Sequence, residues 1–106
     1  MWASNGLEMV MTEGDFGIQI PITIHDVTFS ANDELQLTIK KKRNGDTIIT
    51  KTYENITNNT IQLELTEEES ALLPTGLYIY VLDWYQDGAF LCNLVPSSIF
   101  KVVDKG

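Results

Sequence analysis

Few side chains in this chain have the types and spacing that catalysis or metal binding requires. His25 is the single histidine, and acid–base chemistry there would need a nucleophile or a carboxylate brought beside it by the fold. Asp26 and Asp33 share one segment and could offer oxygen ligands to calcium, but the regular spacing of a calcium-binding loop is missing. We therefore expect an exposed, idle histidine, no metal, no cofactor and no enzymatic activity.

The acidic run in LTEEES looks at first like a pair of catalytic carboxylates. Thr66 followed three residues later by Glu69 fits a helix capping box, and acidic residues suit the positive end of a helix dipole. Pro74 and Gly76 would end such a helix. We interpret the run as the start of one short helical turn near residues 66–73.

The aromatic residues near the C-terminal half allow two interpretations. Tyr80, Trp84 and Tyr85 could form a strip on which sugar rings stack, as in carbohydrate-binding or adhesion modules. Alternatively, Tyr78, Tyr80 and Trp84 share one parity of a strand and face the core, with the Tyr78 hydroxyl bonded to the preceding turn as a tyrosine corner. We favour the core interpretation and keep glycan binding as the alternative.

Strands joined by short turns must position these residues. Apolar side chains alternate from Phe16 to Ile24, and Pro21 marks an edge or a bulge in that strand. Asn44-Gly45 and Asp87-Gly88 each predict a two-residue hairpin turn. Other strands are predicted at residues 7–11, 34–43, 47–53, 61–65, 77–86, 89–95 and 98–103, the last two separate or continuous. The pattern predicts an all-β, immunoglobulin-like antiparallel β-sandwich of about seven strands.

Length and charge limit the function classes further. The 106 residues predict a single domain over 1–106, with residues 1–6 expected to be disordered. A net charge of −8 disfavours nucleic acid and anionic membranes as partners. No apolar run is long enough for a membrane span, and the N-terminal residues lack the pattern of a secretory signal, so we expect synthesis and folding in a cytoplasm. Cys92 is the single cysteine and is expected to be a buried free thiol.

One apolar set has no place in this scheme. If the corner tyrosine faces the core, Leu77, Ile79 and Val81 point away from it, and Leu91 and Val95 on the next strand share that problem. Either the short helix or the N-terminal segment covers this face, or another subunit does, and both can hold. The N-terminal residues that could provide such a cover are Trp2, Leu7, Met9 and Met11.

Three motifs resemble a known group of proteins. They are Gly14-Asp15-Phe16 before an alternating strand, the LTEEE turn, and L-P-x-G-x-Y-x-Y from Leu73 to Tyr80. In this order they resemble the small immunoglobulin-like domains of phage tail and baseplate proteins, in particular the N-terminal domain of the baseplate upper protein family. The segment DVTFSAND is shorter than the second loop of many members.

The resemblance implies a non-enzymatic structural module of a phage or prophage virion, made in a bacterial cytoplasm. Such a module would dock on other virion proteins or on copies of itself, as a homo-oligomer. Leu77, Ile79, Val81, Leu91 and Val95 are the residues that we expect at that protein interface.

Overall fold

The computed structural model describes residues 8–17 and 19–104, without the side chain of Pro96. In this part of the chain, seven strands and one short helix follow each other in the order expected of an all-β protein. They are β1 (Met9–Thr12), β2 (Ile20–Thr23), β3 (Asp33–Lys40), β4 (Thr47–Glu54), β5 (Thr60–Leu63), α1 (Glu67–Ser70), β6 (Gly76–Gln86) and β7 (Ala89–Val103).

The strands form two sheets packed as a sandwich. The larger sheet has the order β1-β7-β6-β3-β4, and β2 pairs with β5 in the smaller sheet. All neighbours are antiparallel except β1, which runs parallel to β7. This arrangement, with a helical turn before a tyrosine corner, has the connectivity of immunoglobulin-like sandwiches. The predicted fold class is confirmed.

The core lies between the two sheets and comes from the inward half of each alternating strand. Burying one such aliphatic or aromatic side chain stabilises the fold by about 1.5–3 kcal/mol. The smaller sheet contributes Ile22, Ile61 and Leu63, and the larger sheet contributes Leu35, Leu37, Ile39, Tyr80, Leu82, Phe100 and Val102.

The connection from β5 to β6 is fixed by side-chain hydrogen bonds that the sequence predicted. Thr66 and Glu69 form the reciprocal capping box of α1. The Tyr78 hydroxyl donates to the carbonyl oxygen of Pro74 at 2.6 Å, which closes the tyrosine corner. Both bonds satisfy backbone groups at a sharp reversal of the chain, so they set where β6 begins.

The two expected hairpin turns have different outcomes. Asp87 and Gly88 both have positive φ, 53° and 82°, and the predicted two-residue turn between β6 and β7 is confirmed. At the other turn, Asn44 has a φ of 62° but Gly45 does not have a positive φ. The Gly45 N–H instead donates to the carbonyl oxygen of Lys42, and the turn is longer than predicted.

One strand prediction needs a correction, and one alternative left open by the sequence is resolved. The alternating segment from Phe16 to Ile24 forms only the short strand β2, and Phe16 is exposed before it. β2 pairs with β5 alone, so Pro21 lies in an edge strand, as expected. The two C-terminal strands are one continuous strand, β7. The expectations for residues 1–6, for Trp2 and Leu7 as a cover, and for Ile18 lie outside the described residues.

The tyrosine corner gives a first prediction. Replacing Tyr78 with Phe removes the bond to the Pro74 carbonyl but keeps the ring, so the free energy of unfolding should fall by about 1 kcal/mol. Urea denaturation measures this change. Tyr85→Phe is the matched control, because its hydroxyl has no hydrogen bond within the described residues, and it should change stability little. Equal stability of Tyr78→Phe and wild type would contradict the structural role of the corner.

Candidate protein-binding face

Strand β6 lies at the centre of the five-stranded sheet, between β7 and β3. Its even-numbered residues from Tyr78 to Leu82 face the core, so its odd-numbered residues point to the other side of the sheet. Leu77 is 59% exposed there, while Ile79 and Val81 are half-buried. We call this side of the five-stranded sheet the outer face.

Cross-strand pairing extends the apolar surface to the neighbouring strands. Ile79 lies opposite Ile99 of β7, which is 46% exposed. Leu77 lies opposite Lys101, and Lys101 in turn lies opposite Val10 of β1, which is 57% exposed. Side chains directly opposite on one face are within contact distance. We call Val10, Leu77, Ile79, Val81 and Ile99 the apolar patch.

Aromatic side chains lie at the far end of the outer face, beside the hairpin of β6 and β7. Tyr85 pairs with Phe90, and their rings meet edge to face with centroids 5.7 Å apart. Phe90 is 59% exposed. Leu91 is exposed as well, at a register shift where Trp84 pairs with Cys92 and Tyr85 with Phe90. Leu91 is therefore the extra residue of a bulge.

The two ends of the outer face carry opposite charges. Lys40 lies opposite Ile79, and Lys101 lies opposite Leu77, so two lysines lie beside the apolar patch. At the other end, Glu34 lies opposite Tyr85 on one side and opposite Glu54 on the other. Two carboxylates directly opposite each other repel, which is unfavourable.

Of the segments considered as a cover for the outer face, neither the helix nor the described part of the N-terminal segment lies over the apolar patch. Met9 and Met11 are buried in the core on the inward side of β1. The helix is attached to the inward side of β4 by an ion pair of 2.7 Å between Lys51 and Glu69, since Lys51 pairs with the core residue Leu37. Among the described residues, the apolar patch keeps its exposure.

Val95 was expected at the interface, and this prediction is wrong. Val95 is fully buried and pairs with Leu82, which is also fully buried. Leu94, its neighbour, is buried too, although consecutive residues of a regular strand point to opposite sides. Register shifts on both sides of Leu82 account for this, because a bulge moves the following residues to the other face.

The proposed glycan platform of Tyr80, Trp84 and Tyr85 does not form one surface. Tyr80 is fully buried, and burial raises the pKa of its hydroxyl to about 12. Trp84 packs edge to face on Phe29, with ring centroids 5.1 Å apart, on the inward side of β6. Tyr85 points to the outer face. Alternation along the strand therefore separates the three rings, and the placement of Tyr80 and Trp84 at a sugar-binding surface is wrong.

A buried carboxylate lies beside Trp84, and sequence reasoning missed its role. Asp33 Oδ2 accepts from the Ser30 backbone N–H at 2.6 Å, and Oδ1 accepts from the Gln86 side chain at 3.1 Å. The backbone bond from Ser30 is the main reason that the pKa of Asp33 lies below its ordinary value, against the opposing effect of burial. The Trp84 indole lowers this pKa further, although its buried N–H lacks hydrogen-bond geometry.

The remaining candidates for chemistry stay apart. His25 and Asp26 are exposed, whereas Asp33 is buried and already bonded, so Asp26 and Asp33 do not form a calcium site. Within residues 8–17 and 19–104, no three potential metal ligands come together. Cys92, expected to be buried, is half-buried and packs against the core. An apolar groove of about 180 Å³ between β1 and the smaller sheet has Asp15 as its one titratable described residue.

Comparisons with protein-family models, with curated proteins and with solved structures found no match to this chain. Among the described residues, no helix combines the length and the apolar character needed to cross a membrane.

Val10, Ile99 and Phe90 are face residues that the sequence analysis did not identify. The signal for Ile99 was present, since Phe100 and Val102 alternate with Ile99 in the segment SSIFKVV. Phe90 has the parity of Leu94, and the bulge at Leu91 separates the two onto different faces. Alternation along the strand alone could therefore not place Phe90 on the outer face.

The buried carboxylate gives a second prediction. A group whose pKa is lower in the folded state stabilises the fold above its unfolded pKa, and this contribution disappears as the pH falls through the folded pKa. The free energy of unfolding should therefore decrease as the pH falls below about 5, and Asp33→Asn should reduce this decrease. Urea titrations at several pH values measure it.

Glu69→Gln is the comparison variant for this test. Burial alone would raise the pKa of Glu69, but hydrogen bonds from Lys51 and Thr66 outweigh burial and lower it, so this group contributes in the same direction. Each substitution should remove part of the decrease in the free energy of unfolding at acidic pH, and the double variant should remove more of it. A pH profile identical in Asp33→Asn and wild type would contradict a lowered pKa for Asp33.

Proposed function

We propose that this chain is a non-enzymatic docking module that binds other proteins through its outer face, in the tail or baseplate of a phage or prophage. The observation that carries the proposal is the apolar patch on the central strands of the larger sheet. Leu77 and Ile99 remain about half exposed although β6 is paired on both sides and β7 is paired with β6 along most of its length.

The position of the patch supports docking more strongly than its size. A sheet that faces water on one side shows a polar outer set of residues, whereas strands apolar on both faces are found where both faces are covered. The central strand β6 presents Leu77, Ile79 and Val81 in succession. Exposed apolar surface of this continuity is typical of protein-binding sites.

The alternative function, glycan binding, loses two of its three aromatic residues to the inward side of β6. Tyr85 and Phe90 remain on the outer face, but their edge-to-face contact gives an angular surface rather than a flat one. Such a pair suits an apolar protein contact at the margin of a docking face.

The phage context depends on the resemblance and not on the patch. Its motifs have architectural roles here: the LTEEE turn caps α1, and the L-P-x-G-x-Y segment forms the tyrosine corner. They support membership in a group of small sandwich domains that assemble in virions. The outer face is the surface through which such assembly would occur.

Site-specific photo-cross-linking tests the docking function. A benzophenone amino acid at position 77, in bacteria that naturally produce this protein, should capture a protein partner, which mass spectrometry identifies. The same probe at position 72 is the control, because Leu72 is 54% exposed but follows the helix, away from the outer face. A virion protein or a second copy on position 77 supports the proposal. No adduct, or equal adducts at both positions, contradicts it.

A further inference from the structure

The outer face combines the apolar patch with a polar stretch at its middle, where Asp83 lies opposite Gln36 and accepts from Asn93, and with charges that are separated along the strands. We call residues that lie opposite each other on neighbouring strands a row. Lys40 is in the row of Ile79, and Glu34 is in the row of Tyr85. With about 3.4 Å per residue, the Lys40 and Glu34 positions lie roughly 20 Å apart on the same strand. Both side chains are half-buried, and neither forms an ion pair within the described residues.

A face of this kind is complementary to itself in one orientation. A two-fold axis in the plane of the interface and perpendicular to the strands superimposes the face on its copy with the strands antiparallel. The basic end of one copy then meets the acidic end of the other. An axis along the strands would instead place the basic ends of the two copies together, and likewise the acidic ends, which costs free energy.

The register specifies which residues meet. If the axis crosses the sheet midway between the Ile79 and Tyr85 rows, each row of one copy faces the other row of its partner. Ile79 then faces Tyr85, and Ile99 faces Phe90. Lys40 faces Glu34 on the same strand, β3. Each contact occurs twice, so the two-fold dimer covers the exposed side chains of both ends at once.

The size of the face permits such a dimer but limits its strength. Five strands spaced about 4.8 Å apart and rows extending about 30 Å along β6 give a flat area of roughly 600 Å². A specific interface usually buries about 800 Å² on each partner. The face is smaller than this typical area, so the dimer is expected to form at high protein concentration.

We propose that the outer face binds a second copy of this chain in an antiparallel two-fold dimer, with Lys40 of each copy paired to Glu34 of the other. This proposal rests on the proposed docking function and identifies its partner. The net charge of −8 acts against association at long range, so the contact depends on the apolar patch and on the local pairing of opposite charges.

Sedimentation equilibrium of purified wild type and charge variants tests the proposal. Lys40→Glu and Glu34→Lys should each weaken dimerisation about tenfold or more, because each places like charges together at two symmetric positions. The double variant K40E/E34K should restore the wild-type dissociation constant. Controls are Lys42→Glu, at an exposed site in the turn after β3, Glu68→Lys, at an exposed site on α1, and thermal melting of every variant to establish folding.

Glu34→Lys separates local pairing from general repulsion. It makes the whole chain less negative and relieves the Glu34–Glu54 contact within β3 and β4, so the monomer should be at least as stable as wild type. General repulsion predicts stronger association of this variant, whereas the antiparallel dimer predicts weaker association. Stronger association would overturn the proposal.

Three further outcomes would also overturn it: a wild-type monomer at all concentrations, a dimer insensitive to Ile79→Lys, or a double variant as weak as its single parents. A monomeric wild type whose position 77 cross-links to a different protein would overturn the two-fold dimer alone and leave the docking function in place. Absence of both dimer and cross-link would reject both.

Discussion

The register of β6 within the larger sheet is the constraint on which the rest of the structure depends. β6 is apolar on both sides, so its register alone decides which side is buried, and a shift of one residue would exchange the two. The bond from Tyr78 to the Pro74 carbonyl fixes the start of the strand, and the turn at Asp87 and Gly88 fixes its end. Between them, Tyr80 and Leu82 fill the core, and Leu77 and Ile79 lie on the outer face.

Local chemistry made much of this predictable from the sequence. The capping box, the corner tyrosine and the Asp87-Gly88 turn each depend on residues close in the chain. Together they determine which residues of β6 face the core. Bulges were not predictable, because they arise from pairing between strands. For this reason Val95 was expected on the wrong face. Gly45 shows a similar limit, since a bond to Lys42 replaced the expected turn.

The candidate face was predictable only in part. Leu77, Ile79 and Val81 were identified from alternation along one strand, which is a local property. Ile99 joins them because β7 pairs with β6 in a particular register, and the opposite positions of Lys40 and Glu34 become meaningful only when β3 is placed beside β6. The charge asymmetry of the face is therefore a property of the sheet. In the proposed dimer, this asymmetry lets a chain of net charge −8 pair opposite charges with its own copy.

Methyl NMR of isoleucine-labelled protein tests the central claim, self-association through the outer face, most directly. On dilution from about 1 mM to about 10 µM, the signals of Ile79 and Ile99 should move, whereas those of the core residues Ile39 and Ile61 should stay in place. Signals of Ile79 and Ile99 that do not depend on concentration would contradict the account. Movement confined to Ile20, beside the groove between the sheets, would contradict it as well.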